Sequence, residues 1–187
     1  MLDWLHELFA SVCGQNLAHT WAPGGQLLPC CQRCTGVYVG TCAAALVHLA
    51  TPPAPTRFWR WLHGIFLLFM IPAGFHWLPQ GPALRAASGM IFGFGLVAFF
   101  WLPLQKSILP AAKLKNSPAT LSVFFGTLLV TLVSTPLLGA SASSLAAGTL
   151  ALGTAAGAGT LVALLATHLL LAVREMRRRF FSPRVAA

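Results

Sequence analysis

Four of the five cysteines in this chain lie within 22 residues, ahead of the first long apolar segment. Cys31 and Cys34 form a CxxC pair, and Cys13 and Cys30 are the other two. A CxxC pair places two sulfur atoms within one helical turn, a spacing that allows them to bind one metal ion or to close a redox disulfide. The sequence therefore predicts a cysteine site and leaves its chemistry open.

A turn separates Cys13 from the CxxC pair. The sequence Pro-Gly-Gly at 23–25 favours a reversal of the chain, which would bring Cys13 toward Cys31 and Cys34. Three thiolates need a fourth donor for a tetrahedral zinc site. The candidate fourth donors are His19, Cys30 and His76, and His76 is favoured because it lies near the outer end of the second apolar segment.

Two other interpretations of the same cysteines are open. A cluster that faces outward can be oxidised, so dithiol exchange at the CxxC is the redox alternative. Cysteine is also a small apolar residue that packs in interiors, which is the simplest interpretation of Cys42 inside the first apolar segment. Thr35 rather than histidine follows the pair, so covalent attachment of a c-type haem is not indicated.

Histidines in the apolar segments suggest a second cofactor. A polar ring is costly in a membrane and is often functional there. His63 and His76 are predicted on one helix, where thirteen residues would separate them by about 20 Å, from one membrane face to the other. Helices that hold two b-type haems resemble this arrangement. Haem b is therefore the alternative cofactor to zinc, and its candidate ligands are His48, His63, His76 and His168. Local roles, in which these histidines cap helices, reach the membrane surface or form nearby hydrogen bonds, are favoured over haem ligation.

The composition predicts an all-α, polytopic membrane protein. The 187 residues are 57% hydrophobic and 8% charged, whereas a soluble domain carries roughly 25% charged residues. A bilayer-spanning helix needs about 17 to 25 residues. About five apolar segments approach or exceed that length, at 35–51, 58–78, 84–104, 119–139 and 145–173.

The segment before these spans is predicted to hold a short interfacial helix. Its apolar residues recur at helical spacing, opposite a side with acidic residues. The domain organisation that follows has an N-terminal helix and cysteine loop at 1–34, a transmembrane domain at 35–173 and a basic tail at 174–187. The apolar positions of the interfacial helix are Leu2, Leu5, Phe9 and Val12.

Small residues four apart predict close helix packing. Glycines at this spacing allow transmembrane backbones to approach each other. Packing within the chain is favoured over packing against another subunit. The pairs are Gly36 with Gly40, Gly89 with Gly93, and Gly153 with Gly157.

The basic residues predict the orientation, because loops rich in Lys and Arg stay in the cytoplasm. With five spans, the connections at 52–57 and 105–118 and the C-terminal tail would be cytoplasmic, and the cysteine cluster would lie outside. The net charge of +9 is spread over loops and tail, so it does not indicate nucleic-acid binding. The tail would lie on anionic lipid through Arg174, Arg177, Arg178 and Arg179.

Enzyme chemistry has little support. The only acids are Asp3, Glu7 and Glu175, all near the chain ends. No carboxylate pair, Ser-His-Asp set or intramembrane proton relay can be assembled from them.

A resemblance covers residues 11 to about 95. Cys13-Gly-Gln, the Gly-Gln-Leu-Leu-Pro at 25–29, and the specific element CQRCTGVYVG at 31–40 resemble CHQ…RSF…LPxCxRCTGxYxG of a bacterial membrane-protein family of unknown function. The family's PxxxDGxxQ…R…TGxxFG block resembles Ile71-Pro72 through His76, then Arg85, Gly89 and Phe92-Gly93. Gly14 and His76 replace the family's His and Asp, and a histidine in place of an acid keeps a donor available at position 76. The resemblance implies no known activity.

Together these features predict a small bacterial inner-membrane protein with a cysteine-based metal site, and zinc is the favoured metal. The predicted role is that of a structural or accessory subunit of a larger membrane complex. The alternative is a redox subunit that uses haem b or the dithiol.

Overall fold

The computed structural model describes residues 3–75, 77, 80–110 and 117–181. Within these ranges it is helical, with no strand, which confirms the all-α membrane class. Two short 3₁₀ turns, Leu17–His19 and Pro23–Gly25, follow the first helix. The helices are α1 Asp3–Ala10, α2 Gln32–Ala50, α3 Arg57–Leu68, α4 Met70–Gly74, α5 Pro82–Ile108, α6 Pro118–Gly139 and α7 Ser144–Phe181.

Three helices of the described part are long and apolar enough to span a membrane. They are Pro82–Gln105 in α5, Pro118–Gly139 in α6 and Ser144–Arg178 in α7. They coincide with the last three predicted segments. The first two predicted segments lie on α2, which has 19 residues, and on the shorter pair α3 and α4.

The second segment is not one continuous helix. A turn at Phe69 separates α3 from α4, and α4 ends at Gly74. Pro72 has no N–H to donate to the carbonyl of Leu68, which favours a break at this point. The prediction that His63 and His76 share one helix is therefore wrong, because the helix ends two residues before position 76.

Helix α2 is central, and α5, α6 and α7 pack around it. Its contact with α5 is backbone against backbone. A Cβ atom on Gly36 would collide with the Ala86 carbonyl oxygen, and one on Gly40 would lie 2.6 Å from the Met90 carbonyl oxygen. The small residues of α2 therefore set how closely the helices approach.

The other predicted glycines lie on α5 and α7, where these helices pack against α2. A Cβ on Gly89 would collide with the Arg33 carbonyl oxygen, and one on Gly93 with that of Val37. On α7, Gly157 lies against the Tyr38 carbonyl of α2, and Gly153 meets only the Val39 side chain, at 3.4 Å. All six glycines thus face neighbouring helices of the same chain.

The N-terminal segment covers the end of the bundle where α6 connects to α7. The Trp21 ring lies on Gly139, and the Gly24 N–H donates to the Ser141 carbonyl at 3.2 Å. The turn expected at 23–25 is present, with positive φ angles at Gly24 and Gly25. The chain reverses there, and Leu28 N–H donates to the Trp21 carbonyl at 3.0 Å.

Helix α1 packs against the helix bundle through one side only. Leu5 and Phe9 are buried, and the Phe9 ring lies 5.2 Å from the Tyr38 ring. Val12, predicted on the same side, is 63% exposed. It lies beyond Ala10, where α1 ends, so it no longer follows the helical periodicity. Leu2 lies outside the described residues.

Candidate metal centre

The Sγ atoms of Cys13, Cys31 and Cys34 all lie within 4.8 Å of one another. At a Zn–S distance of about 2.3 Å, tetrahedral geometry separates two sulfur atoms by about 3.8 Å. Shifts of about 1 Å or less would therefore bring these three sulfurs to ligand positions. The donor set is all thiol, which suits zinc and other thiophilic metals.

Two elements supply these sulfurs. Cys31 immediately precedes α2 as its N-cap residue, and Cys34 lies in the first turn of the helix. Cys13 follows α1, and its N–H donates to the Phe9 carbonyl at 2.9 Å. The site thus joins the end of one helix to the beginning of another, at positions where the chain can still adjust.

Gln15 ties these two elements together. Its side-chain amide donates to the His6 carbonyl at 2.7 Å and to the Pro29 carbonyl at 3.0 Å. Gln15 has a φ of 43°, in the left-handed region that non-glycine residues rarely adopt. No sequence pattern predicted this role, apart from the place of Gln15 in the Cys-Gly-Gln resemblance.

Hydrogen bonding concentrates negative charge on Cys13. Hydrogen bonds donated by the thiols of Cys30, Cys31 and Cys34 lower the pKa of Cys13 far below its usual value. The bond that Cys30 donates to Cys13, together with burial, raises the pKa of Cys30. The backbone N–H of Cys31 also donates to Cys13 Sγ, at 3.3 Å. Within this cluster the thiolate form is thus most favoured at Cys13.

The N-terminus of α2 adds a further favourable field. The first N–H groups of a helix give its start a partial positive charge, which stabilises thiolates nearby. Cys31 and Cys34 occupy that end of α2, but hydrogen bonds with Cys13 and Cys31, together with burial, raise the pKa of Cys34. The arrangement fits a metal-thiolate site, since a bound cation would replace the thiol protons that now hold the cluster together.

Of the three candidate fourth donors, Cys30 is in contact with the group. It is fully buried, and its thiol bonds to Cys13. Cys30 is nevertheless not a member of the group of three whose sulfurs all lie within 4.8 Å of one another, and neither is His19, which lies in the first 3₁₀ turn. His76 lies outside the described residues. On either side of it, Ala73 and Gln80 accept hydrogen bonds from Arg33, at 2.9 and 2.7 Å.

The candidate haem ligands fall into separate places. His48 and His63 are buried together, with ring centroids 5.6 Å apart. His168 is elsewhere, and its Nε2 bonds the Phe100 carbonyl at 2.7 Å. The structure thus pairs His63 with His48 rather than with His168. Whether haem b binds there stays a prediction.

Aromatic rings surround the histidine pair. The Trp59 ring stacks on His63 at 5.6 Å, and Phe124 lies 5.8 Å from His48 and 5.5 Å from His63. None of the four imidazole nitrogens has a hydrogen-bond partner among the described residues. Buried polar atoms without partners are costly, and they often mark a place where another molecule binds.

The basic tail is the end of a helix. Arg174, Arg177 and Arg178 are exposed on α7, which continues to Phe181. The side chain of Arg179 lies outside the described residues. At 1.5 Å per residue, 38 residues extend about 57 Å, well beyond a hydrocarbon core of about 30 Å. The helix is thus long enough to cross a membrane and still hold its arginines beyond the hydrocarbon core.

Residues 13–99 match the family described as predicted membrane protein (DUF2085). This region, somewhat less than half of the chain, is similar to DUF2085. The match begins at Cys13 and includes the whole cysteine cluster, α2 and most of α5. Neither a curated protein nor a solved structure matches the chain. DUF2085 is an uncharacterised membrane-protein family, so the match supports the membrane class and carries no activity.

Proposed function

We propose that this chain is a small membrane protein in which Cys13, Cys31 and Cys34 bind one metal ion, with zinc as the metal. The observation that carries the proposal is the proximity of the three Sγ atoms, all within 4.8 Å. Residues 18 and 21 positions apart contribute to one group only because the Pro23–Gly25 turn reverses the chain. Such a metal would fasten α1 to α2 and so hold the N-terminal segment on the bundle.

Cys30 and His76 are the two proposed fourth donors. Cys30 is favoured by its contact with Cys13, and His76 by the anchoring of the neighbouring residues Ala73 and Gln80 to Arg33. Cys30→Ser and His76→Ala distinguish them. The variant that lowers zinc affinity by more than about 100-fold identifies the ligand, because a lost supporting contact costs about 10- to 100-fold.

The role proposed for the protein is structural or accessory, within a larger membrane complex. In the most apolar part of α7, 11% of the residues are buried, whereas 56% are buried in the most apolar part of α5. Most of this part of α7 therefore has no covering neighbour among the described residues. Outward-facing glycines on α7 have open space: a Cβ on Gly148 or Gly159 would meet nothing within 4 Å. Small residues on an open transmembrane face favour packing of a second helix. The bacterial inner membrane, with the cysteine cluster outside, is the location proposed from the distribution of basic residues.

Elemental analysis and an absorption spectrum of one gently solubilised, purified sample test the metal proposal. About one zinc per chain and no Soret band are expected. A sample without zinc that does not take up zinc when it is added under reducing conditions would contradict it. A Soret band would instead favour haem b at the membrane histidines.

Dithiol exchange is the second candidate, because the same three cysteines are free thiols close enough to react. Oxidation of Cys31 and Cys34 would form one disulfide and release two electrons and two protons to an external thiol oxidant. Thiol counts before and after treatment with oxidised and then reduced glutathione test it. A reversible loss of two thiols supports redox exchange, and an unchanged count contradicts it.

The accessory role has its own test. Gly159→Leu would fill the open face of α7, whereas Gly126→Leu places the same side chain in open space on α6. A protein that copurifies in a fixed ratio should be lost with Gly159→Leu and kept with Gly126→Leu. Retention of that protein by both variants would contradict the use of this face.

A further inference from the structure

A cavity of about 570 Å³ lies between α3 and α5, far from the cysteine cluster in the sequence. Arg60, His63, Gly64 and Leu67 line it from α3, and Ala98 and Phe99 are among its residues on α5. Spacings of three and four residues place the α3 members on one side of that helix. The cavity is therefore a groove between two adjacent helices.

Polarity changes along this groove in one direction. Arg60 lies near the start of α3. Along the helix axis, His63 follows about 4.5 Å after Arg60, and Leu67 follows about 6 Å after His63. The order is cation, neutral hydrogen-bonding ring and apolar side chain. A phospholipid has the matching order of phosphate, ester linkage and acyl chain.

His63 gives the groove an unused polar group. Its side chain is 2% exposed and lines the cavity, and neither ring nitrogen has a hydrogen-bond partner among the described residues. A buried imidazole without a partner is costly. A ligand oxygen in the groove would accept the missing hydrogen bond.

Pro103 modifies the opposite wall. Proline has no backbone N–H, so Pro103 cannot donate to the Phe99 carbonyl, four residues earlier in α5. Both residues line the cavity. The α5 wall therefore offers a carbonyl without its usual helical donor.

A second groove adjoins the first at the start of α3. It has a volume of about 530 Å³ and is lined by Arg57, Arg60, Trp61 and Gly64. Arg60 and Gly64 belong to both grooves. The two exposed guanidinium groups are one helical turn apart and can bind the same anion.

We infer that these grooves bind one phospholipid with an anionic headgroup. Its phosphate pairs with Arg57 and Arg60, and an oxygen of its glycerol-ester region accepts a hydrogen bond from His63. One acyl chain lies between Leu67 and Phe99. The complementarity of charge, the unpartnered imidazole and the apolar depth of the cavity all favour this occupant.

The test compares phosphatidylglycerol with phosphatidylcholine of the same acyl chains, offered to the full-length protein in mixed detergent micelles. Native mass spectrometry measures the lipid retained per chain. The wild type should retain one phosphatidylglycerol and prefer it by about 10-fold or more, since each cation adds to the attraction. Equal retention of the two lipids would overturn the inference.

Charge variants separate this site from general attraction. Arg57→Gln/Arg60→Gln should abolish the headgroup preference. The matched control is Lys113→Gln/Lys115→Gln, which removes two positive charges from the sequence between α5 and α6 and should leave the preference intact. An equal loss in both double variants would indicate non-specific electrostatics and overturn the site.

Gly64 allows the cavity to be filled without a collision. A Cβ there would meet nothing within 4 Å, so Gly64→Phe can project into the groove, and Gly64→Ala is the small control. Gly64→Phe should lose the bound lipid, while Gly64→Ala keeps it. Unchanged lipid retention in Gly64→Phe would overturn the proposed position of the acyl chain.

Inorganic phosphate distinguishes a lipid from a small anion. If it binds as tightly as phosphatidylglycerol, the inferred lipid would be overturned in favour of a small anion.

Discussion

The backbone N–H of Cys31 donates a hydrogen bond of 3.3 Å to the Sγ atom of Cys13. This bond joins the residue that caps α2 to a residue beyond the end of α1, across the chain reversal at 23–25. It positions Cys13 against the CxxC pair before any metal binds. Preorganised ligands pay less of the ordering cost on binding.

Loss of a sulfur ligand should remove the metal and weaken the fold. We expect Cys31→Ser and Cys34→Ser to lose the bound zinc and to lower the midpoint of thermal unfolding, because metal binding contributes directly to folding free energy. Cys42→Ser is the matched control, since Cys42 lies two turns further along α2 and outside the group of three. Normal zinc content and stability in Cys31→Ser and Cys34→Ser would refute the site.

The side chain of Gln15 should govern metal retention without being a ligand. Gln15→Ala removes the bonds to the His6 and Pro29 carbonyls, and the two cysteine-bearing elements would lose a connection. Removal of such supporting contacts costs about 10- to 100-fold in metal affinity. Competition with a zinc chelator measures it. The exposed Gln26 supplies the control variant Gln26→Ala, and equal affinities in the two variants would contradict this role.

Two glycines of α7 should respond oppositely to alanine. Gly157→Ala places a Cβ into the Tyr38 carbonyl of α2 and should destabilise the protein by about 1–3 kcal/mol through overpacking. Gly159→Ala meets open space and should be neutral or stabilise by up to about 1 kcal/mol through helix propensity. Thermal unfolding in one detergent compares them. Similar midpoints would show that the contact of α2 with α7 is not this close.

His48 should tolerate an apolar replacement. Neither of its ring nitrogens has a partner in the part of the chain that the structure describes, so His48→Leu removes two buried polar atoms that cost about 1–3 kcal/mol each. This gain offsets the loss of aromatic contacts with Trp59 and Phe124. We expect stability within about 1 kcal/mol of wild type or above it, whereas Phe124→Ala should cost about 3–5 kcal/mol. Severe destabilisation by His48→Leu, with loss of a Soret band, would indicate a haem ligand.

The local sequence determined the membrane class and the position of the cysteine cluster. Hydropathy over about 20 residues identifies apolar helices because each helix satisfies its own backbone hydrogen bonds. The CxxC spacing and the Pro-Gly-Gly turn are equally local, and both are present as expected at 31–34 and 23–25. The last three predicted segments correspond to the three long apolar helices for the same reason.

The tertiary structure decided which of these parts meet. It broke the second segment at Phe69, so His63 cannot share a helix with position 76, and it buried His63 beside His48. It also placed Cys30 against Cys13 and aligned Gly36 with Ala86. Such contacts join residues far apart in the chain and depend on the mutual fit of helix surfaces. Periodicity and spacing record only which side of one helix a residue occupies, so the sequence alone could not determine its partner.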